Sequence, residues 1–181
     1  MENGIKKILR DKYGLFEKDI EILLEKFTKF SVPKREIILQ EGQTDHYIYF
    51  VEKGIVKSTI LREGREFIIF FALENDIPLS SPNLTESRQS LYTLEAVDTC
   101  ILWRISRKDL ATSFKDSLNL SNWGRMILQE WLTSSAFYFS SIHWMSKKEQ
   151  YQYLLKEMPK LIQRLSMSCL LYTSDAADDK A

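Results

Sequence analysis

The sequence predicts an α+β fold: an antiparallel β sandwich or barrel, with helices before it and one long helix after it. Three observations carry this. An amphipathic, helix-periodic stretch occupies the first 30 residues, six short β-rich runs separated by turns fill residues 36–105, and a proline-free helical stretch follows. A parallel sheet would need crossover helices between the strands, and the spacing leaves no room for them.

At the amino end, Phe16, Ile20, Leu23, Leu24, Phe27 and Phe30 recur at three- and four-residue steps, with Glu17, Lys18, Glu21, Glu25 and Lys26 between them. This predicts a helix laid on a core, broken at Val32-Pro33-Lys34. The strand runs are 37–40, 47–52, 55–61, 66–73, 91–96 and 99–105, rich in Ile, Val, Tyr and Phe. Glu41-Gly42-Gln43, Glu52-Lys53-Gly54 and Arg62-Glu63-Gly64 supply the turns.

Ser106-Arg107-Lys108-Asp109 and Ser146-Lys147-Lys148-Glu149 have capping-box spacing, in which a hydroxyl and a carboxylate satisfy the free donors of a helix start. Between them Leu120, Trp123, Ile127, Trp131, Ser134 and Tyr138 mark one side of a helix. At about 26 residues it would be about 39 Å long, more than a small sandwich can cover, so this stripe is expected to form the seam of a parallel homodimer, with some of it facing its own chain; the alternative is that the helix only packs across its own β domain.

Composition narrows the chemistry. Among 181 residues, 44% are hydrophobic, enough for a core without disulfides, and 25 basic residues balance 25 acidic ones. No net field draws the chain to nucleic acid or membrane. Cys100 and Cys169 make no ligand spacing, and His46 and His143 fall in different regions, so no metal, haem or iron–sulfur cofactor is expected. No nucleophile triad, phosphate loop or paired-carboxylate motif is discernible, and no enzyme is expected. The amino end lacks the apolar core of a secretory signal, which points to the cytoplasm.

The order of the pieces resembles the Crp/Fnr family of bacterial transcription regulators, with wording nearer the Bacteroidetes-type branch than the cyclic-AMP receptor. The likeness rests on Ile38-Leu39-Gln40-Glu41-Gly42-Gln43, Tyr49 to Lys57, Glu63-Gly64-Arg65-Glu66, Glu74-Asn75-Asp76, Ile105 to Leu110 and Gly124-Arg125. It implies an antiparallel β roll of the double-stranded jelly-roll, cyclic nucleotide-binding-like kind over 1–115, a dimerisation helix over 116–146 and the start of a DNA-reading helix-turn-helix over 147–164. The segment 165–181 reads as a non-native or disordered tail, because it has no helical period and ends acidic. The expectation is therefore a regulator whose DNA-reading module is truncated. Only the intact protein would bind DNA, and the partners are a second copy and an unidentified small-molecule effector. The rival reading is a stand-alone β-roll regulatory or adaptor module.

The family's phosphate-binding cassette uses a Gly-Glu pair and an Arg-Ser or Arg-Thr pair. Laid on this chain, these positions fall on Leu79 and Ser80, after Asp76, and on Ser90 and Leu91; none matches. Arg88 lies two residues upstream. Asp76, Leu79, Ser80, Arg88, Ser90 and Leu91 are thus the effector-pocket candidates, and cyclic nucleotides are not the expected ligand.

Overall fold

The computed structural model describes residues 4–140, 144–157 and 159–164. Nine strands form the roll: β1 (Thr28–Val32), β2 (Ile37–Leu39), β3 (Thr44–Asp45), β4 (Tyr47–Lys53), β5 (Val56–Arg62), β6 (Arg65–Ala72), β7 (Arg88–Gln89), β8 (Thr93–Ala96) and β9 (Cys100–Ser106). They pair antiparallel in sheets ordered β1-β9-β4, β2-β8-β5-β6 and β3-β7.

The period-two alternation of the central strands builds two cores at once. On β4, Tyr49 and Val51 face the roll interior with Leu102 and Cys100 of β9 and Leu94 and Ala96 of β8. Their neighbours Ile48, Phe50, Trp103 and Ile105 face outward, where helices cover them. The covering elements are α1 (Gly4–Lys7), a π-helical turn (Ile8–Lys12), α2 (Glu17–Leu24) and α4 (Leu118–Ser140). α3 (Arg107–Asp116) joins the roll to α4, and α5 (Lys147–Glu157) and α6 (Pro159–Arg164) follow.

Two turns show why the sequence folds here as it does. The β5–β6 hairpin closes through Glu63 and Gly64 at φ 52° and 76°, the positive pair that suits the twist of a two-residue hairpin. Gly54 sits at φ 104°, and a Cβ there would lie 2.6 Å from Cys100 Sγ. Only glycine fits.

The capping box at α5 closes reciprocally, and at α3 only its hydroxyl half forms. Asp109 N donates to Ser106 Oγ at 3.0 Å, and Ser106 Oγ to Asp109 Oδ2 at 2.5 Å. At α5, Glu149 N donates to Ser146 Oγ at 3.3 Å and Ser146 N to Glu149 Oε2 at 2.8 Å.

The helical expectation for the first 30 residues needs correction. α2 ends at Leu24, and residues 28–32 are β1, paired to β9 from Thr28↔Arg104 to Val32↔Cys100. Phe30 follows the three-to-four step yet packs against the roll interior beside Tyr49. Strand pairing with the distant β9 outweighs a local period here.

The stripe on α4 is redrawn as well. α4 has 23 residues and is about 34 Å long. Leu120, Trp123 and Ile127 are each 1% exposed within a single chain, packed with Phe50, Ile105 and the amino-terminal helices. Their own core occupies them. Trp131 is half-buried against the same cluster and Ser134 is exposed; the side chain of Tyr138 lies outside the described residues. The start of α4 is fixed by Asp19, 2% exposed, which accepts from Ser117 Oγ at 2.8 Å and Asn119 Nδ2 at 2.9 Å.

Candidate functional site

The segment between β6 and β7 carries the positions that the sequence reading assigns to a cassette, and their polar groups bond to one another and to Asp45 and Arg107. Ser80, 2% exposed, donates from Oγ to Asp45 Oδ2 at 2.5 Å. Asp45, in the two-residue β3, is fully buried and ion-paired with Arg107, the first residue of α3, also fully buried. Arg107 Nε donates to the Asp45 carbonyl at 3.1 Å and Nη2 to Ser80 Oγ at 3.2 Å. Its Nη1 has no hydrogen-bond partner among the described residues. Charge is balanced inside the site, because the buried Arg107 guanidinium already holds the Asp45 carboxylate.

The other cassette positions close on the same point. Ser90, 3% exposed, donates from Oγ to the Tyr92 carbonyl at 2.6 Å. Leu91 N donates to the Ser80 carbonyl at 3.0 Å, while the Leu91 side chain is 49% exposed. Gly42 N donates to Ser90 O at 2.9 Å and Ser90 N to Gln43 O at 2.8 Å, so the returning chain is bound to the β2–β3 turn. Leu79 is half-buried. Arg88 does not enter the site. It is exposed on β7, with Nε and Nη2 donating to Glu86 Oε2 at 3.0 and 2.6 Å.

Of the six effector-pocket candidates, the structure therefore brings Ser80, Ser90 and Leu91 together. Asp76 belongs to a different place. It lines a cavity of about 490 Å³ between the β6 exit turn, the amino-terminal π-helical turn and α4, with Lys12, Tyr13, Glu130, Trp131 and Ser134 among the walls. Lys12 Nζ lies 3.2 Å from Glu130 Oε2 and 3.8 Å from Asp76 Oδ1, and the Tyr13 hydroxyl donates to Glu130 Oε2 at 3.3 Å. Burial, and then the Glu130 charge, push the Tyr13 phenol far up, so it stays a proton donor. Burial likewise raises the Asp76 carboxyl above the usual carboxylate range, against the pull of the Leu73 N–H and Lys12.

Asp45 and Arg107 were not singled out by sequence reasoning. Arg107 stands inside a capping box, a setting in which the second residue ordinarily points to water, and Asp45 adjoins a turn; only their partnership marks either. No group of three or more His, Cys, Asp or Glu among the described residues is placed to hold a metal ion. No described helix is long and apolar enough to cross a membrane.

Comparison with known proteins agrees with the fold. Residues 29–117 match the model of the cyclic nucleotide-binding domain. No curated protein matches the chain. Among solved structures, FixK2 from Bradyrhizobium japonicum aligns at TM-score 0.72 and 19% identity, covering 81% of this chain and 76% of that one. A candidate Crp/Fnr-family transcriptional regulator from Eubacterium rectale aligns at 0.67 and 22%, covering 84% and 71%. The regulatory domain of Toxoplasma gondii PKA, solved with cAMP, aligns at 0.55 and 20%, covering 60% of this chain; the chain spans 42% of its length. At these identities the likeness is one of fold. Residues 29–117 thus match the cyclic nucleotide-binding domain family, in a chain whose fold is similar to that of a Crp/Fnr-family regulator.

Proposed function

We propose that this chain is the effector-sensing and dimerisation part of a Crp/Fnr-type transcription regulator, and that its effector is not a cyclic nucleotide. The observation that carries the reading is the cavity shared by the roll and α4, with Asp76 on one wall and Trp131 and Ser134 on the other. A ligand there touches both the sensing roll and the long helix. The closed cassette supports the second half of the proposal: an incoming cyclic phosphate would have to displace Asp45 from Arg107 and would gain no second guanidinium.

Dimerisation is assigned to the outer face of α4 rather than the stripe buried in its own core. Leu118, Leu128 and Leu132 are 88%, 41% and 71% exposed. With Ser121, Arg125 and Ser135 they repeat at three- and four-residue steps, the period of a two-helix seam. In the intact regulator, the crossing of two such helices would set the spacing of the DNA-reading modules.

Sedimentation at tens of micromolar tests this. The unmodified chain should sediment as a dimer, and Leu128→Glu with Leu132→Glu should give folded monomers, because like charges would face each other across the two-fold axis. A monomeric unmodified chain would remove the dimer from the proposal.

A further inference from the structure

The last described helix, α6, lies against the rim of its own roll. Leu161 is fully buried against Ile55, with Phe71, Leu73, Val97 and Ile162 packed around them. Beyond this apolar contact, Arg164 reaches two carboxylates. Its Nη1 donates to Glu74 Oε1 at 2.6 Å, and Nη2 forms an ion pair with Asp98. Both acids are oriented from the roll side, since Gly54 N donates to Glu74 Oε1 at 3.0 Å and Ile55 N to Asp98 Oδ1 at 2.8 Å.

We infer that this rim is a docking site for α6, a latch that fixes the carboxyl-terminal segment to the roll of its own chain. Six residues are too few for a helix to persist alone in water, so the position of α6 depends on what holds it. The rim offers a shaped apolar recess and a pair of acids spaced for one guanidinium fork. This docking does not depend on the effector reading above.

The latch also shares a turn with the cavity. Glu74 grips Arg164, and Asp76, two residues on, lines the cavity. The turn between them is tightly bonded: Leu73 N donates to Asp76 Oδ2 at 3.1 Å, Asp76 N to Leu73 O at 3.0 Å, and Asn75 N to Val51 O at 2.9 Å. Asn75 is held at φ 76°. A shift of Asp76 therefore carries Glu74 with it, and the cavity wall and the latch move as one piece.

Methyl NMR on the full chain, with trypsin cleavage after Lys160 as a second readout, tests both parts. Leu161 methyls should show NOEs to Ile55 and Val97. Arg164→Glu, which sets a third carboxylate beside Glu74 and Asp98, should abolish them and speed cleavage by about tenfold or more while the β4 and β9 signals stay in place. Leu161→Ala, which keeps every charge, should speed the same cleavage. Absence of the NOEs in the unmodified chain, or unchanged cleavage in both variants, would overturn the latch. Asp76→Ala should also speed cleavage, although it lies outside the docking site; unchanged cleavage there would overturn the coupling through the turn.

Discussion

Asp45→Ala should destabilise the chain by about 3–5 kcal/mol, the cost of leaving a buried guanidinium without its counter-charge. Arg107 is fully buried and already has one unpaired nitrogen, so it has little with which to replace the lost carboxylate. Ser80 Oγ would lose its acceptor at the same time. Against a total stability of about 5–15 kcal/mol, this is enough to bring the domain near unfolding at ambient temperature. Chemical denaturation of the variant checks it. Pairing Asp45→Ala with Arg107→Met should recover most of the loss, because an apolar pair removes the uncompensated charge. A small effect of Asp45→Ala alone would mean that water reaches the site, and the cassette would not be closed.

A second large effect is expected at Trp123. It is 1% exposed, stacked on Phe50 with centroids 6.0 Å apart, and met edge-on by Tyr13 at 6.0 Å and Phe114 at 6.3 Å. Gly124 permits the last contact, since a Cβ there would lie 2.6 Å from the Phe114 ring. Trp123→Ala empties the junction of α4, the roll and the amino-terminal helices and should cost about 3–5 kcal/mol. Trp123→Phe should cost clearly less, because the indole N–H has no hydrogen-bond partner among the described residues. Thermal melts at two protein concentrations separate core from seam. If Trp123 belongs to its own core, the loss is the same at both; a loss that grows on dilution would return it to the dimer interface.

The strands and the capping boxes were legible because their signals are local. Glycine at positive φ, a hydroxyl three residues before a carboxylate and β-rich runs of the right length need no partner to be read. What was misread depends on distant partners. Residues 28–32 become a strand only because β9 lies beside them, and Phe30 keeps the helical step by coincidence. The apolar stripe of α4 was visible, but periodicity says only that one face is covered. It does not say by what, and Leu120, Trp123 and Ile127 turned out to face their own domain. The sequence points to Ser80 and Ser90, while Asp45 and Arg107, 35 residues before and 27 residues after Ser80, carry no signal that singles them out. A buried ion pair leaves no spacing signature when its members come from different elements.

The central claim, that the cassette is closed by its own charges and takes no cyclic nucleotide, is tested most directly by titration calorimetry of the unmodified chain with cyclic AMP and cyclic GMP. No saturable heat is expected at low micromolar ligand. Binding tighter than about 10 µM, or about −7 kcal/mol, would contradict it, since Arg107 would then have exchanged Asp45 for a phosphate.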